Sequence, residues 1–471
     1  MSSPGSGGGR QIASGASGAR PAAIAGASEP SDSRWRRWRA ALLTPYHLAL
    51  VFIFALATVL RLVYNLTVER AYVPLHDAAD YNNMAIHMLT EHCICIYPNI
   101  PTTVRPPLYP LFMANVYIIG GIDPLHVRLA LSFIGAFTCL LVAGITRILM
   151  GQRVAILAGL IAATYPQLFI WDAFLYSESL AIFFFALCCY LAMRLSKRHR
   201  WWVWLSVGLI FGLAALVRPN GVYALLAVIA VVALGVALRE LTWRQGAVQV
   251  AALTFGCILA LLPWTVRNYI DTGGAIVPFT TVTGIVIAGS YNDLSFRDPA
   301  NVGVWVNPLR VPADAPTMER FPVICDARCE VARSKASTQL GVHWAETHIA
   351  DLPLLMYRRM KQFWHPDSPP GEAGMPIWRP FAIVYPTLVI LLAWLGAFAA
   401  LLRRQREALM PLLFAASVVA GGLLFYGTPR MRAPMEPMIV VFAAVGLATL
   451  LELLWRAVTR ARQGALSSSP Q

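Results

Sequence analysis

Charged residues are scarce in this 471-residue sequence: they make up 13% of it, whereas hydrophobic residues make up 57%. The mean hydropathy is +0.58. Soluble globular domains carry about 25% charged residues, so the composition excludes a soluble globular protein and predicts a polytopic membrane protein. Lysine is nearly missing, since Lys197, Lys335 and Lys361 are the only examples. Almost all of the positive charge is therefore arginine.

Several common catalytic and binding motifs are also missing. The chain has no Gly-rich P-loop to cradle a nucleotide phosphate, no internal repeat and no recognisable serine–histidine triad. His343, Glu346 and His348 do not indicate a metal motif, because positions i, i+3 and i+5 do not share one helix face. The formal net charge of +14 does not indicate nucleic acid as a partner. The basic residues lie in short clusters between apolar runs, where the positive-inside rule places them.

Long apolar runs dominate what is present. A transmembrane helix needs roughly 20 apolar residues, and ten runs are long enough to be interpreted as spans. They are 45–65, 127–148, 153–170, 178–195, 202–217, 221–238, 247–266, 380–402, 409–426 and 434–455. The predicted fold class is an all-α polytopic membrane protein.

The arginine clusters orient these helices with the N-terminus inside. We expect a disordered N-terminal tail with a basic, membrane-proximal end (1–40), a catalytic transmembrane region (41–266), C-terminal helices (380–456) and a cytoplasmic tail (457–471). Two connections fall on the outer side: residues 66–126, called here the first loop, and residues 267–379, called the long segment. The short apolar run 107–120 is predicted to lie along the outer interface as an amphipathic helix.

The long segment exceeds a hundred residues, which is enough for a small domain. Its Gly-, Thr- and Val-rich stretch 276–287 predicts strands, and residues 328–349 predict an amphipathic helix, so the domain is expected to be mixed. Four cysteines lie in the outer connections: Cys93, Cys95, Cys325 and Cys329. In an oxidising compartment they predict either a Cys325–Cys329 disulfide or a cross-loop pair with Cys93 or Cys95. Their spacing matches zinc sites only loosely.

Acids and arginines gather at the outer helix boundaries. The candidate catalytic acids are Asp77, Asp80, Asp172 and Glu178. Capping of helix N-termini is the alternative role for each of them. The candidate phosphate-binding residues are Arg105, Arg218, Arg267, Arg430 and Arg432. Guanidinium groups bind phosphate in a bidentate fork, although snorkelling towards lipid headgroups is the alternative explanation for each arginine.

Several motifs occur in an order that resembles the GT-C glycosyltransferases, and more narrowly their bacterial members near protein O-mannosyltransferases and the lipid A aminoarabinose transferase. The resemblance runs from about residue 45 to 455. The motifs are Asp77-Ala78-x-x-Tyr81, Arg105-Pro106-Pro107-Leu108-Tyr109-Pro110, Tyr165-Pro166, Ser177-Glu178, Arg218-Pro219-Asn220-Gly221, Pro263-Trp264-Thr265-Val266-Arg267-Asn268-Tyr269 and Arg430-x-Arg432-x-Pro434-x-Glu436-Pro437.

This resemblance implies an enzyme that transfers a sugar, with inversion, from a polyprenyl (undecaprenyl) phosphate to an envelope lipid, glycan or protein. It implies the bacterial inner membrane, with the catalytic loops on the periplasmic or extracellular face. The aspartate base would be Asp77, and Tyr81 and Tyr109 would position substrate. Many members have Glu where this chain has Ala78, which leaves the second acid open among Asp80, Asp172 and Glu178. A divalent cation is compatible with these acids but not required.

Two rival functions follow from the same composition. An O-antigen ligase or polymerase also joins lipid-linked sugars outside the membrane, but the Arg-Pro-Pro-Leu-Tyr-Pro motif argues against it. A transporter or flippase for lipid-linked sugars should show broken or ionisable helices at the membrane midplane and pseudo-repeats. Here the polar residues cluster at the outer ends instead.

Overall fold

A computed structural model describes residues 44–68, 72–366 and 379–467. The predicted N-terminal tail (1–40) and the last four residues of the predicted cytoplasmic tail lie outside the described residues. By contacts the chain divides into two units, Met1–Leu48 and Ala49–Gln471. Of the first unit only residues 44–48 are described, and they contain the start of the first helix. The features below belong to the second unit.

All ten predicted segments are helical. They correspond to Pro45–Val63 with the π-turn Tyr64–Val68, Pro124–Met150, Gln152–Thr164 with Pro166–Phe169, Glu178–Leu195, Trp201–Val217, Gly221–Ala237, Trp243–Asp271, Arg379–Leu402, Leu409–Leu424 and Glu436–Ser467. The connections add the helices Asp77–Thr90, Leu108–Gly120, Val282–Ser290, Asp293–Arg297, Ala315–Met318, Ala327–Thr347, Leu352–Phe363 and Pro429–Arg432. Short 3₁₀ turns cover Ile170–Ala173, Pro308–Arg310, Ile349–Asp351, Arg406–Ala408 and Ala433–Met435.

Not all ten helices are full-length spans. Among the described residues, seven helices are long and apolar enough to cross a membrane, and an eighth is obtained if a bent pair counts as one span. That pair, Gln152–Thr164 and Pro166–Ala173, bends by 66°, because proline has no backbone N–H to continue the helical ladder. Trp201–Val217 and Gly221–Ala237 are apolar but 17 residues long, at the lower limit for a span. The chain is a multi-pass membrane protein.

Small residues let the membrane helices approach closely. Gly396 of Arg379–Leu402 lies against the carbonyl of Phe442, and Gly446 of Glu436–Ser467 lies against the carbonyl of Leu392. A Cβ at either glycine would collide with the backbone of the neighbouring helix. Lipid provides no hydrophobic driving force between helices, so backbone-to-backbone packing at small residues is what holds them together.

The first loop contains two helices and a small hairpin. Asp77–Thr90 is followed by the antiparallel strands Cys95–Tyr97 and Ile100–Pro101, which pair Cys95 with Pro101 and Tyr97 with Ile100. These are the only strands in the described part of the chain. Leu108–Gly120 confirms the helix predicted for 107–120, and it exposes Leu111, Ile118 and Ile119. Such an apolar surface suits an interfacial helix.

Over its described residues the long segment contains helices and turns but no strand, so the prediction of a mixed domain was wrong. Val282–Ser290 forms a helix where strands were expected over 276–287. Gly284 lies against the carbonyl of Ser334, and Gly341 lies against the backbone of Ile287. This tight packing on Ala327–Thr347 overrides the β-propensity of the Val, Ile and Thr residues, which depends on context. Ala327–Thr347 itself confirms the amphipathic helix predicted over 328–349.

The outer cysteines form two local disulfides. Cys325 pairs with Cys329, as one of the sequence alternatives predicted, and Cys93 pairs with Cys95 instead of crossing to the long segment. Each bridge closes its own loop, so neither one ties the first loop to the long segment. That connection depends on hydrogen bonds, described below.

The glycine contact within the long segment yields a stability prediction. Gly284→Ala adds a Cβ that meets the Ser334 carbonyl, so we expect a loss of about 1–3 kcal/mol from overpacking. Val342→Ala, at an exposed position of Ala327–Thr347, is the matched control and should change stability little. Thermal melting of the purified protein in detergent measures both. Equal melting temperatures for wild type and Gly284→Ala would contradict the packing.

Candidate active site

Six of the predicted site residues converge at one end of the helical bundle. Asp77 opens Asp77–Thr90, Glu178 opens Glu178–Leu195, Arg218 directly follows Trp201–Val217, and Arg430 lies in Pro429–Arg432. Together with Asp80 and Arg105 they form a network of ion pairs, called here the charge cluster. Residues far apart in the sequence meet because each lies at or beside a helix end.

Asp77 is held by two arginines. Its Oδ1 accepts from Arg105 Nη2 at 2.5 Å, and its Oδ2 pairs with Arg430 Nη2 at 2.8 Å. The residue before the helix, His76, has a positive φ of 51°, and no side chain caps this N-terminus. Capping, the alternative role for Asp77, is therefore not what its carboxylate does. Both of its oxygens are committed to guanidinium groups.

Asp80 is bound on one side only. Its Oδ2 accepts from Arg105 Nη2 at 2.9 Å and from Arg105 Nε at 3.3 Å. Among the described residues, Oδ1 has no hydrogen-bond donor, and the side chain is 31% exposed. Asp80 therefore has a carboxylate oxygen without a protein donor, whereas both oxygens of Asp77 already accept from arginines.

Glu178 lies at the buried centre of the charge cluster. Its side chain is fully buried, and its Oε1 forms ion pairs with both Arg218 and Arg430. Its Oε2 is buried and has no hydrogen-bond partner in the described part of the chain. A buried carboxylate is costly unless it is paired, so Glu178 fixes the two arginines beside it.

The two aspartates differ in acidity. Burial alone would raise the pKa of Asp77, but the positive charges of Arg105 and Arg430 outweigh it and hold the pKa well below its usual range. Burial raises the pKa of Asp80, and Arg105 offsets this only in part while the Asp77 charge adds to it. Environments that push two carboxyl pKa values apart often separate their roles in catalysis.

Aromatic rings line the cluster. Arg105 lies over the Tyr81 ring with Cζ 5.5 Å from the centroid, and Arg430 lies over the Tyr176 ring at 4.3 Å. The Tyr81 hydroxyl donates to Ser177 Oγ at 3.3 Å, next to Glu178. Tyr109 is buried and packs edge-on against Tyr81 at 5.0 Å between ring centroids. Both tyrosines were predicted to position substrate. Tyr81 contacts the cluster, whereas Tyr109 packs against the Tyr81 ring.

Asp172 lies outside the cluster. It is buried and pairs with the buried Arg61 at 2.7 Å, and it accepts a hydrogen bond from Ser179 Oγ. Gly135 leaves the space for this pair, because a Cβ there would collide with both side chains. The arrangement indicates a structural role, in contrast to the predicted catalytic one.

Two of the predicted phosphate-binding arginines also lie elsewhere. Arg267 pairs with Asp271 at 2.7 Å and donates to the carbonyls of Thr102 and Ile94, so it holds the hairpin of the first loop. Arg432 is fully buried, pairs with Glu436 at 2.6 Å and donates to the carbonyls of Phe363 and His365.

The cluster does not fit a metal ion. Asp77 presents both oxygens to arginines, and Glu178 presents Oε1 to two more guanidinium contacts. Across residues 44–68, 72–366 and 379–467, no three His, Cys, Asp or Glu side chains are grouped to hold a metal ion. We therefore derive no catalytic step through a metal.

The sequence did not point to Glu330, which joins the long segment to the first loop. Its carboxylate accepts from Thr102 Oγ1 at 2.5 Å, from the Thr103 N–H at 2.6 Å and from Thr103 Oγ1 at 2.7 Å. Glu330 belongs to a helix that the sequence identifies only as amphipathic. No spacing or motif marks it, because its partners lie more than two hundred residues away.

A family model described as dolichyl-phosphate-mannose-protein mannosyltransferase matches residues 104–264, about a third of the chain. The matched part includes Arg105, Glu178 and Arg218 but not Asp77, Asp80 or Arg430. Comparison with curated proteins finds no match.

Solved structures share the fold. The chain superposes on the oligosaccharyltransferase AglB from Archaeoglobus fulgidus, in complex with an inhibitory peptide and a dolichol-phosphate, with a TM-score of 0.52 and 14% identity over 90% of this chain. The same archaeal enzyme tethered to an acceptor peptide with an NVT sequon gives a TM-score of 0.51 and 13% identity over 92% of this chain. In both cases the matched part is 52% of the archaeal chain, so this protein spans about half its length.

ArnT from Cupriavidus metallidurans bound to undecaprenyl phosphate matches with a TM-score of 0.39 and 14% identity, over 84% of this chain and 77% of that one. The chain therefore shares the fold of the archaeal oligosaccharyltransferase, and its residues 104–264 match the mannosyltransferase family model. Both findings agree with the resemblance of the sequence motifs to the GT-C glycosyltransferases.

The Arg61–Asp172 pair yields a test of its structural role. Removing one partner leaves an uncompensated buried charge, which costs about 3–5 kcal/mol. We expect Arg61→Met and Asp172→Leu each to lower the melting temperature strongly, and the double variant to recover a large part of the loss. Activity should return with stability in the double variant. A stable but inactive double variant would instead give Asp172 a part in the chemistry.

Proposed function

We propose that this protein is an integral-membrane glycosyltransferase that moves a sugar from a polyprenyl-phosphate donor to an envelope acceptor. The observation that carries the proposal is the convergence of Arg105, Arg218 and Arg430 at one end of the helical bundle. Guanidinium groups at such a boundary are suited to the phosphate of a donor whose lipid tail remains in the membrane. The match to a mannosyltransferase family model supports sugar transfer as the reaction.

A solved structure that shares this fold supports the proposed class of donor. The archaeal oligosaccharyltransferase with which this chain shares its fold was solved with a dolichol-phosphate. A polyprenyl phosphate is the corresponding carrier in our proposal. The acceptor of that enzyme is not carried over, because this chain spans about half of it.

The reaction that this geometry supports is an inverting displacement. The acceptor hydroxyl attacks the anomeric carbon and gives its proton to a carboxylate, while the bond from that carbon to the phosphate oxygen breaks. The electron pair leaves with the polyprenyl phosphate, whose growing negative charge Arg218 and Arg430 stabilise. Glu178 keeps both guanidinium groups in position before the donor arrives.

Asp80 is the better placed base in this arrangement. Its Oδ1 is open and its pKa is raised, whereas both oxygens of Asp77 hold arginines and its pKa is lowered. Asp77, the position that the family resemblance gives for the base, then orients Arg105 and Arg430. A positioned general base contributes about 10²–10⁴-fold to the rate.

The proposed location is the bacterial inner membrane, with the charge cluster on the periplasmic or extracellular face. The arginine distribution supports this orientation, because the clusters around Arg147, Lys197, Arg239 and Arg403 lie at the opposite helix ends. Membrane lipids and the lipid-linked donor are then neighbours of the same site.

Donor binding provides the first test. Arg218→Ala and Arg430→Ala should each raise the KM for a polyprenyl-phosphate mannose about tenfold or more, since a charged hydrogen bond contributes about 1.5–3 kcal/mol. Lysine at either position should restore only part of the affinity, because it lacks the fork. Arg297→Ala, on the exposed surface, is the control. Unchanged donor KM in both variants, with normal melting, would favour headgroup snorkelling and remove the phosphate site.

The roles of Asp77 and Asp80 separate in steady-state kinetics. We expect Asp80→Asn to lower kcat about 10²–10⁴-fold with little change in donor KM, and Asp77→Asn to act mainly through donor KM. The activity of wild type should fall as pH drops through the Asp80 pKa, which lies above 3.8, because a protonated carboxyl cannot accept a proton. The reverse pattern, a kcat loss confined to Asp77→Asn, would return the base to Asp77.

A further inference from the structure

A cavity of about 140 Å³ lies between the first loop and the long segment. Asp80, Tyr97 and Thr102 line it from the first loop, and Glu330 and Arg333 line it from the long segment. Asp80 belongs both to this wall and to the charge cluster. The cavity therefore adjoins the proposed reaction centre on the side of Asp80.

Its polar groups are fixed in place before any ligand binds. Glu330 is held by Thr102 and Thr103 at 2.5–2.7 Å, which fastens the two walls together. Burial raises the pKa of Glu330, and the threonine hydrogen bonds offset part of that effect. A site whose polar side chains are already oriented loses less entropy when a ligand binds.

Arg333 has unused hydrogen-bonding capacity in this wall. Its Nε is buried and has no hydrogen-bond partner among the described residues. Buried N–H groups are nearly always satisfied, and an exception calls for a ligand or a water molecule. Asp80 Oδ1 also has no donor among the described residues, and both side chains belong to residues that line the cavity.

The size and lining of the cavity favour a sugar ring over an extended peptide. An apolar cavity of about 150 Å³ accommodates a six-membered ring, and this one is comparable in volume but polar. Hydroxyl groups both donate and accept, so a polyol satisfies a carboxylate and a guanidinium together. The Tyr97 ring, 38% exposed, offers an apolar face. A peptide of several residues would extend beyond a cavity of this volume, whereas a single ring fits within it.

We propose that this cavity is the acceptor subsite, and that it takes a hydroxyl-bearing saccharide ring of an envelope glycan or glycolipid. The proposal rests on the glycosyltransferase function argued above and names its acceptor class. The Arg333 guanidinium donates to a ring or hydroxyl oxygen, and Tyr97 packs against the ring. A hydroxyl of the ring then faces Asp80 Oδ1.

The chemical step balances with these groups alone. The acceptor O–H bond breaks and its proton moves to Asp80, while the acceptor oxygen forms a new bond to the anomeric carbon of the donor sugar. The bond between that carbon and the phosphate oxygen breaks, and polyprenyl phosphate leaves with the electron pair. Neither an oxidant nor a reductant is required.

Binding can be tested without turnover. Saturation-transfer NMR on the full-length protein in detergent would use methyl glycosides of mannose, glucose, galactose and arabinose, with a serine- and threonine-containing decapeptide as the rival probe. We expect at least one glycoside to bind wild type and Arg333→Ala to weaken it about 10- to 100-fold. Arg333→Lys, which keeps the charge but loses Nε, should lie between them. Lys335→Ala, exposed on the same helix, should match wild type.

Transfer kinetics separate this proposal from the proposed function. Arg333→Ala and Tyr97→Ala should raise the KM for the bound glycoside and leave the donor KM unchanged, whereas Arg218→Ala should do the opposite. Transfer to a glycoside with the same acceptor KM in wild type and Arg333→Ala overturns the subsite but not the function. Arg333-dependent binding without any transfer supports the cavity and overturns the function. Binding of the decapeptide alone, or of no probe, overturns the saccharide class.

Discussion

The buried carboxylate of Glu178 is the interaction on which the rest of the site depends. It lies at the first turn of one membrane helix and binds Arg218, which follows the next helix, and Arg430, which precedes the last one. Burying a charge without partners costs several kcal/mol, so three distant parts of the chain are drawn to one point. Asp77 then extends the network from Arg430 to Arg105, and this brings the first loop over the helix ends.

The formal charge of the cluster matters for the chemistry. Asp77, Asp80 and Glu178 supply three negative charges and Arg105, Arg218 and Arg430 three positive ones, so the cluster is neutral before the donor binds. A phosphodiester donor brings one negative charge, while the released monoester carries about −1.5 to −2. In the proposed reaction a cluster carboxylate takes the acceptor proton, and the cluster becomes more positive by one unit. The increase in positive charge on the cluster thus accompanies the increase in negative charge on the leaving phosphate.

The local sequence was enough to predict the helices and part of the candidate site. Hydropathy runs predicted every membrane helix, and the motifs around Asp77, Glu178, Arg218 and Arg430 marked residues that the structure brings together. The same reasoning also grouped Asp172 and Arg432 with them, because a position at a helix end does not reveal the partner that faces it. Val282–Ser290 was misread as strand since the contact that decides its conformation lies in another helix. Glu330 and Arg333 carried no local signal, because their role exists only once the long segment meets the first loop.

The hydrogen bonds of Glu330 lie where the long segment meets the first loop. The ion pairs of the charge cluster, as far as residues 44–68, 72–366 and 379–467 describe them, use the first loop and the ends of membrane helices. The long segment contacts the first loop through Glu330 and Arg267, and it supplies one wall of the adjoining cavity. Replacing the whole long segment would also remove the contacts of Arg267 with the first loop and those of Phe363 and His365 with Arg432. On the proposed function, substitutions confined to the cavity wall of the long segment would alter the choice of acceptor and leave the donor chemistry unchanged.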